Sequence, residues 1–363
     1  MAVAANEIVR SLQERVRSAA AAGIPLVIRA GGTKNFYGNP VDGEHEVLDP
    51  RRYCGLIDYE PTELVVTACS GTPLAEVEAA LAQHNQMLGF EPPHFGSSAT
   101  LGGAIASGLA GPRRATAGAV RDFILGSTLI DGGGNVLSFG GKVMKNVAGY
   151  DISRALAGSL GTLGVILDIS LKVIPRPPME QTLQFEISER DAILLTNQWA
   201  GQPLPVSATG WVDGVLSVRL SGAVAGVRAA RSRLGGNVLE HSTAFWSDLR
   251  EHKHRFFDRV EGATLWRVSV PPTTAPLALG ATLIEWRGGQ RWVWSKEPAP
   301  TIRSKVEAVG GHPTAFRHGN GAAAFHPLSP GLTEIHQRLR DEFDPGHIFN
   351  PGRMIWKHAD RTR

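Results

Sequence analysis

Cysteine is almost absent from this chain: Cys54 and Cys69 are the only two in 363 residues, and neither belongs to a C-x-x-C pair. That excludes an iron–sulfur ligand set and a disulfide framework within the chain. Long apolar runs are lacking as well. None approaches the ~18 residues of a membrane-spanning helix, and no basic segment leading into an apolar one opens the chain. The expectation is a cytoplasmic protein that meets a membrane only through partners. Charge of one sign is also scarce, with 37 Lys and Arg against 34 Asp and Glu, for a net +3. No basic stripe stands out, so nucleic acid is not an expected partner.

What the sequence has is glycine, 42 residues of it, bunched around 30–38, 102–118, 126–164 and 310–321. Glycine is unfavourable inside regular elements, so bunching marks backbone that turns tightly or approaches a ligand closely. The hydrophobic share of 42% is ample for more than one packed core.

The periodicity predicts an amphipathic helix over Asn6–Ala22, with Ile8, Leu12 and Val16 on one face. Short strands follow at Leu26–Ile28, Glu46–Leu48 and Leu64–Ala68. Thr72-Pro73 reads as the opening of a helix. Another helix, rich in small residues, starts at Thr100. Phe123–Ile130 and Val136–Phe139 read as a hairpin joined by the glycine-rich Asp131–Asn135. A helical stretch around Asp151–Ala157 precedes a long strand, Val165–Ile174. The prolines that follow, ending at Pro178, mark a domain boundary. Residues 180–300 carry Trp199, Trp211, Trp246, Trp266, Trp286, Trp292 and Trp294, which mostly read as core. Trp292 and Trp294 are placed on one face of a strand. A last helix over 331–342 leads to Asn350-Pro351-Gly352-Arg353.

Two glycine segments suggest chemistry. A strand running into Ala30-Gly31-Gly32-Thr33 can turn successive backbone N–H groups toward one anion, although the same pattern serves as a plain turn. Thr100-Leu101-Gly102-Gly103 sits at a helix start, where unengaged N–H groups favour an anion; close helix packing explains the small residues equally well. Together they suit one diphosphate held between two loops. The dinucleotide fingerprint is not supported, since its nearest match at Gly319–Ala324 lies in no strand–helix–strand unit.

These segments carry a resemblance. Arg29–Lys34, Pro92–Gly96, Thr100–Gly103, Val143–Asp151, Gly158–Ile166 and Asn350–Arg353 resemble the FAD domain of the glycolate oxidase D/E family, within the vanillyl-alcohol oxidase (PCMH-type) superfamily. Ser107–Arg114 and Gly118–Phe123 resemble its FAD-binding E type in particular. The resemblance implies an α+β fold: a two-subdomain FAD-binding domain over 1–178, a smaller α+β cap-like domain over 179–329, and a segment over 330–363 returning to the first. It implies FAD contacts from Arg29, Gly31, Gly32, Thr33, Lys34, Pro93, Thr100, Gly102, Gly103, Ser107 and Gly111. Gly164, Val165 and Ile166 would face the adenine end, with Asn350 and Arg353 near the flavin. Thr33 stands where covalent-flavin members carry histidine, which implies non-covalent FAD. Leu160 replaces the family's usual glutamate.

The family's catalytic D type has a His-x-His pair in its later domain. The one such pair here, His252 and His254, lies among charges on what reads as a solvated helix face, and no metal is expected. Arg317, His318 and His326 are candidates for a cation and a base, and Arg113-Arg114 for a carboxylate or pyrophosphate clamp. The function implied is an FAD-binding subunit of a complex oxidising glycolate, a 2-hydroxy acid, with a D-type flavoprotein and an iron–sulfur subunit as partners. A self-sufficient oxidoreductase of another hydroxy acid or alcohol, and a structural subunit of low activity, are the alternatives.

Overall fold

The computed structural model describes residues 2–41, 45–141, 151–317 and 323–354. The first helix, α1 (Ala2–Ala22), buries Leu12, Val16 and Ala19, a spacing of three and four that aligns them on one face. It begins four residues earlier than its apolar pattern predicts. Strands β1 (Leu26–Ile28) and β2 (Glu46–Leu48) form a small parallel pair. There follow β3 (Leu56–Glu60), β4 (Val65–Cys69), α2 (Leu74–Gln83), β5 (Gln86–Met87) and α3 (Leu101–Ser107). The N-cap of α2 is Pro73 and not Thr72, whose hydroxyl instead donates to the Cys69 carbonyl at 2.7 Å.

Strands β6 (Ile124–Ile130) and β7 (Val136–Gly140) form the expected hairpin, and Asp131 Oδ1 accepts from the Gly133 and Asn135 amides in its turn. Asp151–Ala157 holds only a 3-10 turn, Ser153–Leu156. With β8 (Val165–Lys172) these strands make a five-stranded sheet in the order β3-β4-β8-β6-β7. Val165 and Leu167 pack with α1, whereas Ile169 and Leu171 pack with α2 and α3. A bulge opposite Thr128 and Leu129 reverses which side chains face which side.

Past the short β9 (Ile174–Pro175) the chain builds a second sheet from β10 (Met179–Glu186), β11 (Val206–Val212), β12 (Val215–Gly222), β13 (Asn237–Val238), β14 (Thr264–Ser269), β15 (Ala281–Glu285), β16 (Gln290–Ser295) and β17 (His312–Arg317). It is antiparallel, in the order β13-β10-β12-β11-β15-β16-β14-β17. Strand alternation sends Val293 toward the helix Ala299–Glu307, while Trp292 and Trp294 pack with Tyr37 and Leu109, which lie outside the second sheet. The helix Pro330–Phe343 then returns the chain, and Phe349 bridges in parallel to Leu26 beside β1.

Candidate functional site

A cavity of about 320 Å³ runs along the loop after β1 and is walled by residues 27–35, Thr100, Gly103, Ala106, Ser107, Leu160, Asn350 and Arg353. The Arg29 N–H donates to the Leu48 carbonyl, so the β1–β2 pairing holds the loop's first residue. Beyond it, the amides of Ala30, Gly31, Gly32, Thr33 and Lys34 donate to no acceptor among the described residues. Five consecutive unengaged N–H groups on a cavity wall suit the oxygens of a diphosphate. Gly32 has φ +70°, the left-handed conformation that turns such a loop. Gly31 is required for a different reason: a Cβ there would come within 1.6 Å of the Ser98 carbonyl oxygen. Ser98 fastens the same spot, its hydroxyl donating to the Gly31 carbonyl at 2.8 Å.

Lys34 closes one end of the loop. Its ammonium donates to the His94 carbonyl at 3.2 Å and to Thr33 Oγ1 at 3.3 Å. Burial pulls its pKa down to about 8, opposed by the nearby Glu251. Thr33 stands in the cavity wall.

The start of α3 departs from expectation. The Leu101 amide donates to Thr72 O, the Gly102 amide to Ser70 O and the Gly103 amide to the capping Thr100 Oγ1, so none of the three is left for an anion. A Cβ on Gly102 would meet Ser70, whereas one on Gly103 would meet only Thr100 Oγ1, at 3.2 Å. Close backbone packing therefore explains Gly102, and Gly103 alone presents bare backbone to the cavity. A second, mostly apolar space of about 80 Å³ adjoins the first along Ile28, Thr100 and Leu160 and is also lined by Pro50, Ser70, Gly102, Gly161, Gly164 and Ile166. Val165 does not join that wall, because its side chain is buried against α1.

The returning C-terminal segment locks the cleft shut on one side. Asn350, buried at φ +40°, accepts from the Ile28 amide at 2.8 Å and donates to the Leu160 carbonyl at 2.6 Å. Arg353 donates to the carbonyls of Lys34, Asn35 and Asn39. Both residues line the cavity, and both brace its glycine loops.

Pro93 and Gly111 stand elsewhere, in a narrow space of about 20 Å³ beside the second sheet, with Phe95, Leu109, His252, Arg267, Glu285, Gln290, Trp292 and Phe316. Here the sequence reading of His252 fails. The helix Ser242–Arg250 ends before it, φ at His252 is +52°, and the imidazole stacks on Phe257 with ring centres 3.8 Å apart. Phe95, Trp292 and Phe316 surround it edge-on or tilted. Burial, with Arg317 and Arg267 nearby, holds its pKa well below the usual value, so the ring is neutral, and Nδ1 has no partner among the described residues. Beside it Glu285 accepts from Gln290 Nε2 and from Trp292 Nε1, and burial pushes its carboxyl up to about 7.

Arg317 is half-buried, with its guanidinium 5.4 Å from the Phe36 ring centre. His326 is half-buried and its Nδ1 is unpartnered among the described residues, but it lines none of these three spaces. His318, the Gly319–Ala322 part of the fingerprint-like run and residues 142–150 lie outside the described residues. Arg113 is no clamp: buried, it pairs with Glu91 and Glu180, and Glu91 also holds Arg219. Arg114 lies over the Trp286 ring at 4.4 Å. Among the described residues no group of three or more His, Cys, Asp or Glu could hold a metal, and no helix is long and apolar enough to cross a membrane.

A glycine-walled cleft with five unengaged amides, continued by an apolar slot and set beside a second antiparallel sheet, defines a flavoprotein of the α+β PCMH-type FAD fold. A family model described as an FAD binding domain matches residues 2–140. The structure of an alkyldihydroxyacetonephosphate synthase superposes with a TM-score of 0.66, over 94% of this chain and 75% of that one; at 15% identity it speaks for the fold alone. The chain is 47% identical over 346 residues to the glycolate oxidase subunit GlcE of Escherichia coli (strain K12), covering 95% of this chain and 97% of that protein. This chain belongs to the GlcE family of glycolate oxidase subunits, and its cofactor is FAD. A D-lactate dehydrogenase of Archaeoglobus fulgidus is 30% identical over 92% of this chain and 86% of its own length. The glycolate oxidase subunit GlcD of Bacillus subtilis (strain 168) is 30% identical over 44% of this chain and 34% of its own.

Proposed function

We propose that this chain is the FAD-carrying subunit of a complex that oxidises glycolate. In this reading its flavin receives electrons within the complex and passes them toward an iron–sulfur subunit, and a D-type flavoprotein subunit meets the substrate. Bound FAD supplies the two-electron acceptor. The chain's own residues hold it: the 30–34 amides and Lys34 at the diphosphate, Gly103 and Ser107 along the cleft, and Asn350 and Arg353 as braces. With Thr33 in the loop, attachment is non-covalent. We place the division between an FAD domain and a cap-like domain near residue 178, with the return beginning near 330.

The observation that carries this reading is the size of the junction space. About 20 Å³ accommodates one water, and even the smallest 2-hydroxy acid has five heavy atoms. Two cysteines cannot ligate a cluster, so an iron–sulfur centre would belong to another chain. The test is reconstitution. The flavin of this chain should be reduced by glycolate only after the D-type subunit is added, and glycolate reduction of the chain by itself, at a catalytic rate, would reject the reading.

A second reading, a self-sufficient hydroxy-acid oxidoreductase, draws on one observation. His252 is neutral, has an unpartnered Nδ1, and lies near Arg267 and Arg317, so it has the makings of a base beside carboxylate clamps. It requires His252→Ala and Arg317→Ala to abolish turnover by the isolated chain.

A further inference from the structure

We propose that a cavity apart from the FAD cleft binds a small zwitterion, an α-amino acid with an apolar side chain. This site stands independently of the function proposed above. The cavity measures about 300 Å³ and shares no wall residue with the cleft. It is bordered by α2, β5, the start of β10 and the end of the helix Ser242–Arg250. Its wall carries charges of both signs: Arg113, Arg176 and Arg250 with Glu78, Glu91 and Glu180. Most of that charge is spent within the protein. Arg113 pairs with Glu91 and Glu180, Glu91 also holds Arg219, and Arg250 Nε donates to Glu251 at 2.8 Å.

One charge of each sign is left over. Arg176 donates from Nε to the Gln86 carbonyl at 3.2 Å and forms no ion pair among the described residues. Glu78 bonds to His94 Nε2 at 3.0 Å and pairs with no arginine or lysine among them. Opposite charges that share a wall without meeting suit a ligand that carries both. The terminal nitrogens of Arg176 and Arg250 are unengaged and can grip a carboxylate, and the second oxygen of Glu78 can accept from an ammonium. A plain anion would find Glu78 and Glu180 against it; a zwitterion turns such a carboxylate into a partner. Met87, Leu88 and Pro177 supply apolar wall for a side chain, and the volume lies within the range of small-molecule pockets. The charged groups are also held ready. His94 fixes Glu78, while Glu251, which accepts from the His94 and Phe95 amides, fixes Arg250, so binding loses little side-chain freedom there.

The experiment titrates the FAD-loaded protein by calorimetry with L-leucine, L-methionine and L-valine. Two analogues of leucine accompany them, 4-methylpentanoate, which lacks the ammonium, and 3-methylbutylamine, which lacks the carboxylate. At least one amino acid should bind at or below millimolar concentration, and each leucine analogue should bind about 10- to 100-fold more weakly than leucine. Glu78→Gln and Arg176→Gln should each weaken the amino acid by a similar factor. Glu78 is half-buried and Arg176 exposed, so both variants should fold, with melting temperatures near wild type. If either does not, the analogue comparison on the wild-type protein decides alone. Absence of binding by all three amino acids would overturn the proposal. So would an analogue that binds as well as leucine, which would make this a plain anion or cation site. Amino-acid binding that survives both substitutions would place the ligand elsewhere and overturn it too.

Discussion

The Ala30–Lys34 loop and the junction beside the second sheet are linked by the contact of Phe36 with Phe95, yet they are built on opposite plans. Along Ala30–Lys34 the backbone leaves five donors unengaged on a space of about 320 Å³. At the junction, Gln290 and Trp292 both donate to Glu285, and the space lined by Phe95, Trp292 and Phe316 is only about 20 Å³. A chain that keeps donors in reserve in one place and closes the other is organised to hold a cofactor more than to admit a substrate. That contrast underlies the proposed role as a flavin carrier.

The sharpest way to break the contrast is at Gly31. Gly31→Ala forces a Cβ to within 1.6 Å of Ser98 O, so the loop must leave its position, and FAD retention should fall at least 100-fold in a binding titration. Gly103→Ala is the matching control. It meets only Thr100 Oγ1, so the protein should fold normally and bind FAD more weakly by a smaller factor.

A milder effect is expected at Lys34. Its pKa near 8 means that its charge is lost as pH rises through that value, and a bound diphosphate favours the charged form. FAD affinity should therefore weaken above about pH 8. Lys34→Met should cost about 10-fold below that pH, and its affinity should not fall as pH rises through 8. An unaltered pH profile in the variant would remove Lys34 from the diphosphate site.

Glu285 tests the closed end. Its folded pKa of about 7 lies above the ordinary 4.5, through burial and the nearby Glu91 carboxylate, opposed by Trp292, Gln290 and Arg267. The folded protein thus holds a proton that the unfolded chain releases, and stability falls as pH rises from 4.5 through 7. Glu285→Gln should match wild type below pH 4.5 and exceed it by on the order of 2 kcal/mol above pH 7 in denaturant unfolding. A constant difference across that range would mean that the carboxyl does not titrate there.

Much of the open region was legible in the sequence, and little of the closed one. The 30–34 loop announces itself because two glycines follow a β-branched strand. The helix start at Thr100 was readable too, but not the loss of the amides behind it, since their acceptors at Ser70 and Thr72 come from another loop. His252 misled because its neighbours in sequence are charged while its neighbours in space, Phe95 and Phe316, lie far along the chain in both directions. The bracing by Asn350 depends on contacts spanning more than 180 residues, which no local pattern signals.

The central claim is that this chain holds FAD but does not itself oxidise the hydroxy acid. The most direct measurement is the visible absorbance of the isolated FAD-loaded chain under anaerobic conditions as glycolate is added. The account predicts that the flavin stays oxidised. Rapid and complete bleaching by glycolate, with no other subunit present, would contradict it.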